Sequence, residues 1–192
     1  MKLKDKHFLF PIFLTLLLLL AACGTQPIET APVAAQSSET DANLLTYTNE
    51  EYGFSLHYPA SWTVTDVSDE NFVGPGSRSV QFSQGTVMLI IGYRHAGDET
   101  MIFGTGAPAS ELEVQGMLSV NGQDVERVIL VSDGKAKSVF YGEPGTVLAA
   151  DGLEFAASLA DFAQVDYDAV ELTQQTQDEA DLIVGSLTRA GQ

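Results

Sequence analysis

Scarcity marks this chain more than abundance. Its 192 residues contain one cysteine, one tryptophan, three histidines and only 9 Lys and Arg against 26 Asp and Glu. A lone cysteine excludes an intrachain disulfide framework and a cysteine-based zinc cluster. The shortage of basic groups leaves a formal charge of −17, which repels phosphate backbones and excludes nucleic acid as a partner. No G-x-S-x-G elbow, H-E-x-x-H, P-loop or C-x-x-C occurs, so no standard nucleophile, zinc or phosphate chemistry is written in one dimension. With 45% hydrophobic residues, the chain still has enough apolar material for one core.

The only long hydrophobic run is at the start. Met1 to His7 is basic, and Phe8 to Leu20 is almost unbrokenly apolar. As a helix that run reaches roughly 20 Å, short of the ~30 Å hydrocarbon layer, so it reads as a signal segment over residues 1–22 and not as a permanent span. Leu20-Ala21-Ala22-Cys23 then resembles the bacterial lipobox, and the chain's sole cysteine stands at the modified position. That resemblance implies cleavage between Ala22 and Cys23 and a diacylglycerol on the Cys23 thiol, so that the membrane is a partner through a lipid anchor. Two acyl chains hold a protein on a membrane where one gives marginal binding. The implied place is the outer face of the cell membrane, or the outer membrane in a host that has one. Removal of residues 1–22 leaves 6 basic and 25 acidic groups, a net of −19.

Residues 23–45 read as a tether. Thr25 to Asn43 is Thr, Gln, Pro, Glu, Ala and Ser with only Ile28 and Val33 as large apolar residues, too little to offset the entropy of ordering. About 20 such residues span roughly 25 Å.

Residues 46–192 read as one domain. Phe54, Leu56 and Tyr58 alternate with Ser55 and His57, Pro59 ends that strand, and Trp62 with Val64 starts another. Val87 to Tyr93 is the continuous run of a central strand covered on both faces. Asn121-Gly122 between Met117–Val120 and Val125–Val131 signals a hairpin, and Asp133-Gly134 a second one into Ala136–Tyr141. Leu153–Leu159 adds a strand. Thr176-Gln177-Asp178-Glu179 has the form of a capping box with Thr176 as N-cap. Ala180, Ile183, Val184 and Leu187 follow at helical spacing, with Arg189 in the last turn. A further short helix is expected within Ala163–Gln175. The expectation is α+β: six to eight largely antiparallel strands packed by a C-terminal helix.

Tyr52-Gly53-Phe54-Ser55-Leu56-His57-Tyr58-Pro59 with Trp62, and the closing Ala180-Asp181-Leu182-Ile183-Val184-Gly185-Ser186-Leu187, resemble the two ends of PsbP-like domains, a group that includes DcrB-like lipoproteins. The resemblance implies an α/β sandwich and a non-catalytic protein that works through protein contacts.

Candidate sites are few. Gly104-Thr105-Gly106-Ala107-Pro108-Ala109 fits G-x-G-x-x-A, with Asp124 downstream, but Pro108 and the strand that follows leave no room for the helix that would receive a pyrophosphate. It reads as a surface loop, and no cofactor is expected. Tyr58, Pro59 and Trp62 read as structural aromatics at a strand end. A hydrolase without a recognisable motif would have to be built on His57 or His95, and both read as solvated. Two acidic groups, Asp66, Asp69 and Glu70, then Asp166, Asp168 and Glu171, are weak calcium candidates without an EF-hand pattern. The functional expectation is an envelope interaction module with a cationic partner protein. The alternative is a small-ligand or Ca²⁺ binder with its pocket between sheet and helix. The acidity is equally compatible with a saline habitat.

Overall fold

Three hairpins are fixed by left-handed backbone at residue pairs that tolerate it. Asn121-Gly122 (φ 49° and 75°), Asp133-Gly134 (52° and 71°) and Asp151-Gly152 (43° and 82°) all have positive φ at both central residues, as a type I′ turn requires. The first two were legible in the sequence. The computed structural model describes residues 43–68, 78–98, 111–144, 146–162 and 171–189, all within the compact unit Glu39–Gln192.

The strands are β1 (Leu44–Asn49), β2 (Phe54–Pro59), β3 (Thr63–Ser68), β4 (Arg78–Gln84), β5 (Val87–His95), β6 (Leu112–Val120), β7 (Gln123–Ser132), β8 (Lys135–Tyr141), β9 (Leu148–Ala150), β10 (Leu153–Asp161) and β11 (Thr188–Arg189). One helix, α1 (Gln174–Gly185), lies between β10 and β11. The large sheet has eight strands, ordered β3-β4-β5-β10-β8-β7-β6 with β9 beside β10. A second sheet of three strands, β1-β2-β11, was not expected. Among the described residues the paired strands run antiparallel. The fold is thus α+β as expected, with more strands and a second layer. β1 begins at Leu44, two residues before the expected boundary at residue 46.

The core lies between the sheets and under the helix. Phe54 and Leu56 from β2, Phe82 from β4, Leu89 and Ile91 from β5, Phe155 and Leu159 from β10, and Val139 from β8 are all fully or almost fully buried. Phe54 meets Tyr93 and Phe155 edge-on, with ring centroids 5.0 and 5.2 Å apart. In β5, Leu89, Ile90 and Ile91 are all buried, so this strand is covered on both faces, as its unbroken apolar run required. The helix stripe Ala180, Ile183, Val184 and Leu187 is buried as the spacing predicted.

Two details of the C-terminus differ from the sequence reading. The N-cap is Thr173, not Thr176: the Thr173 Oγ1 accepts from the Thr176 N–H at 3.2 Å. Both threonines offer a capping oxygen. The tertiary bonds Leu172 N–H to Ala136 O and Gln177 Nε2 to Leu172 O hold the entry one turn earlier. Arg189 is not in the last helical turn. Ser186 caps the helix, and β11 lays Thr188 and Arg189 beside Ser55 and Phe54. The Arg189 guanidinium donates to the carbonyls of Tyr52, Gly53 and Asp151. The short helix expected within Ala163–Gln175 is not formed at 171–173, and residues 163–170 lie outside the described residues. Among the described residues, no helix is long and apolar enough to cross a membrane.

Candidate functional site

The most organised polar cluster joins the two sheets. Asp66 on β3 receives the Tyr47 hydroxyl at 2.9 Å on Oδ2 and the Tyr93 hydroxyl at 3.1 Å on Oδ1. Asn49 completes the ring, its Nδ2 donating to the Tyr47 oxygen at 3.2 Å and to the Tyr93 oxygen at 2.9 Å. Its own Oδ1 accepts from the Tyr52 N–H, which closes the β1–β2 turn. Burial, reinforced by the Asp66 carboxylate, pushes the Tyr47 phenol up to about 12. Burial, then the charges of Tyr47 and Asp66, hold Tyr93 well above the usual phenol range. Both tyrosines therefore stay neutral donors over any ordinary pH, and the ring acts as a clasp between β1 and the large sheet.

Beside this clasp opens a cleft of about 380 Å³ lined by Thr48, Asn49, Glu50, Glu51, Asp66, Arg78 and Tyr93. It lies at the β1–β2 turn, and no residue of α1 is in its lining. Asp66 sits on a strand, not in a loop, and both of its oxygens are engaged by phenols.

The other anticipated residues are scattered. His57 is exposed on β2, with Nδ1 3.1 Å from the Thr46 hydroxyl. His95, the last residue of β5, stacks on Tyr52 at 4.8 Å. The two stand 38 residues apart in sequence, and their rings meet a threonine hydroxyl in the case of His57 and a tyrosine ring in the case of His95. Glu171 pairs with Lys135 at 3.3 Å on the surface. Asp69, Glu70, Asp166, Asp168, the Gly104–Ala109 segment, Ala22 and Cys23 lie outside the described residues. Trp62 is buried and structural, its indole N–H donating to Glu179 Oε2 of α1 at 2.6 Å.

A second cluster ties α1 to the large sheet. Arg127 Nε on β7 donates to both Asp181 oxygens at 2.9 Å, its Nη2 reaches Gln177 Oε1 at 2.8 Å, and the Tyr141 hydroxyl donates to Asp181 Oδ1 at 2.8 Å. Burial, then the Asp181 charge, pushes the Tyr141 phenol well up.

The edge of the large sheet is less tidy. Among the described residues β6 pairs with β7 alone, and Val114 and Met117 are each 59% exposed. The register sets Val114 opposite Val128, and Leu112 opposite Leu130, on the face away from α1. A bulge at Gln115-Gly116 breaks the ladder, with Gly116 at φ 138°. Met117–Val120 reads as a strand from its residues; its edge position depends on pairings distant along the chain.

No family model matches the chain, and no curated protein matches it. Among solved structures it is similar to the solution structure of cyanobacterial PsbP from Synechocystis sp. PCC 6803, at 15% identity and a TM-score of 0.44, over 88% of this chain and 98% of that one.

Proposed function

We propose that this chain is a lipid-anchored, extracytoplasmic module that works without catalysis, by contact with another envelope protein. The observation that carries the reading is the pair Val114 and Met117, apolar side chains exposed on an edge strand whose outer side meets no strand among the described residues, in a chain with 26 acidic residues. Soluble domains normally protect such an edge with charge or cover it, and an apolar exposed edge marks a contact site. The anchor at Cys23 and the tether supply the other half, by confining the domain near the membrane while leaving it free to turn.

Intact mass spectrometry of the chain extracted from native membranes tests the anchor. The expected species starts at Cys23 and carries a diacylglycerol, and the Cys23→Ser form keeps residues 1–22 and has no added lipid. An unmodified cysteine in the wild-type chain, or a mature start elsewhere, contradicts the reading.

A further inference from the structure

The interaction reading leaves open how a partner is held and what chemistry it presents. In an antiparallel pair, alternate residues turn their N–H and C=O groups away from the neighbouring strand. On β6 these outward groups meet no other strand among the described residues. Leu112 and Val114 precede the bulge and Met117 follows it, so short extended stretches on either side of Gly116 offer backbone donors and acceptors beside apolar side chains.

The charges around this edge are of one sign. Glu111 and Glu113 are exposed at the start of β6, and Asp124 and Glu126 are exposed on β7, opposite Ser119 and Met117. β6 has no Lys or Arg. The Arg127 of β7 points to the other face, where Asp181 and Gln177 hold it. A second copy would bring the same acids and the same net charge of −17 to the contact. An extended segment with Lys or Arg between apolar residues would pair with the acids, cover Val114 and Met117, and complete the backbone ladder.

We infer that β6 is the docking edge, and that it takes up an extended, cationic strand of a partner protein by strand addition. This inference rests on the interaction reading above and adds the site and the class of partner.

The test uses the full-length protein in detergent and a capped synthetic peptide of about ten residues alternating Lys and Val, long enough to span one strand. Backbone amide exchange should slow at least tenfold within Leu112–Val120 when the peptide is bound. The Val114→Lys/Met117→Lys variant should bind the peptide at least tenfold more weakly. Val114→Thr/Met117→Thr, which keeps strand propensity and charge, should also weaken it if the lysine variant folds poorly. A peptide of the same charge with proline at alternate positions should not bind, because it cannot donate to the ladder. Equal binding of the proline peptide, protection located elsewhere, or no binding overturns the inference. So does a wild-type dimer in sedimentation that the double lysine variant dissociates, which would assign the edge to a second copy. Failure here leaves the interaction reading standing if cross-linking in cells still finds a partner on another face; a blank there removes the reading itself.

Discussion

Replacing Arg127 with alanine lowers the stability of the domain by about 3 kcal/mol and its Tm by roughly 8 °C. The guanidinium holds both oxygens of Asp181 and the Gln177 amide oxygen, and the two charged side chains are only 11% and 24% exposed. Truncation leaves the Asp181 carboxylate beneath α1 with one hydroxyl donor, Tyr141. Breaking a fully buried pair costs ~3–5 kcal/mol, and the partial exposure here puts the loss at the lower end. The double variant Arg127→Met/Asp181→Leu removes both charges together and should recover most of the loss, since apolar replacements of similar volume are commonly neutral. Urea unfolding of the wild type, Arg127→Met, Asp181→Leu and the double variant gives the coupling directly. A change of under ~0.5 kcal/mol for Arg127→Ala would mean that water already solvates the pair. The consequence reaches function, because β7 carries this bond on one face and supports the docking edge β6 at its side.

Raising the pH from 10 to 12 destabilises the native domain through Tyr47 and Tyr93. The Tyr47 phenol is held at about 12 against an ordinary value of 10.0, and Tyr93 is also raised, so the folded state binds these protons more tightly than the unfolded one. Where the unfolded chain has fewer bound protons, stability falls as pH rises. The contribution is therefore complete below pH 10 and is lost as the pH passes through the folded value near 12. Phenolate absorbance should lag behind that of the denaturant-unfolded chain over this window. Tyr47→Phe/Tyr93→Phe should reduce the pH dependence of stability and leave the part that the raised Tyr141 phenol contributes. Asp66→Asn should move phenol ionisation down without returning it to 10, because burial is the larger cause and the carboxylate the smaller. A native titration that matches free tyrosine would show that the clasp is open in solution.

The elements legible in the sequence are those set by local chemistry. Asn121-Gly122 and Asp133-Gly134 made their hairpins because a type I′ turn needs positive φ at both positions. Trp62 and the stripe Ala180, Ile183, Val184 and Leu187 found the core because burial follows period and apolar area. What was missed is nonlocal. The two-residue β11 has no periodicity, and only its register with Ser55 and Phe54 makes it a strand. Asp66 reads as a weak calcium candidate until Tyr47 and Tyr93, from β1 and β5, reach its two oxygens. Alternation from Ala136 to Tyr141 gives no hint that Lys137 stands as an extra residue in a bulge, where it is 1% exposed. The same holds for the docking edge: Val114 and Met117 look like any strand residues until the sheet order leaves β6 outermost.

The most direct measurement is photo-cross-linking in the native cells, with a photoreactive residue in place of Met117 in the full-length chain and, as reference, in place of Thr65 on β3 at the opposite edge of the sheet. The account predicts one reproducible envelope protein trapped from position 117, little or none from position 65, and a yield that falls with added salt. A blank from position 117 in cells where the chain is folded and membrane-bound, or the same products from both positions, would contradict it.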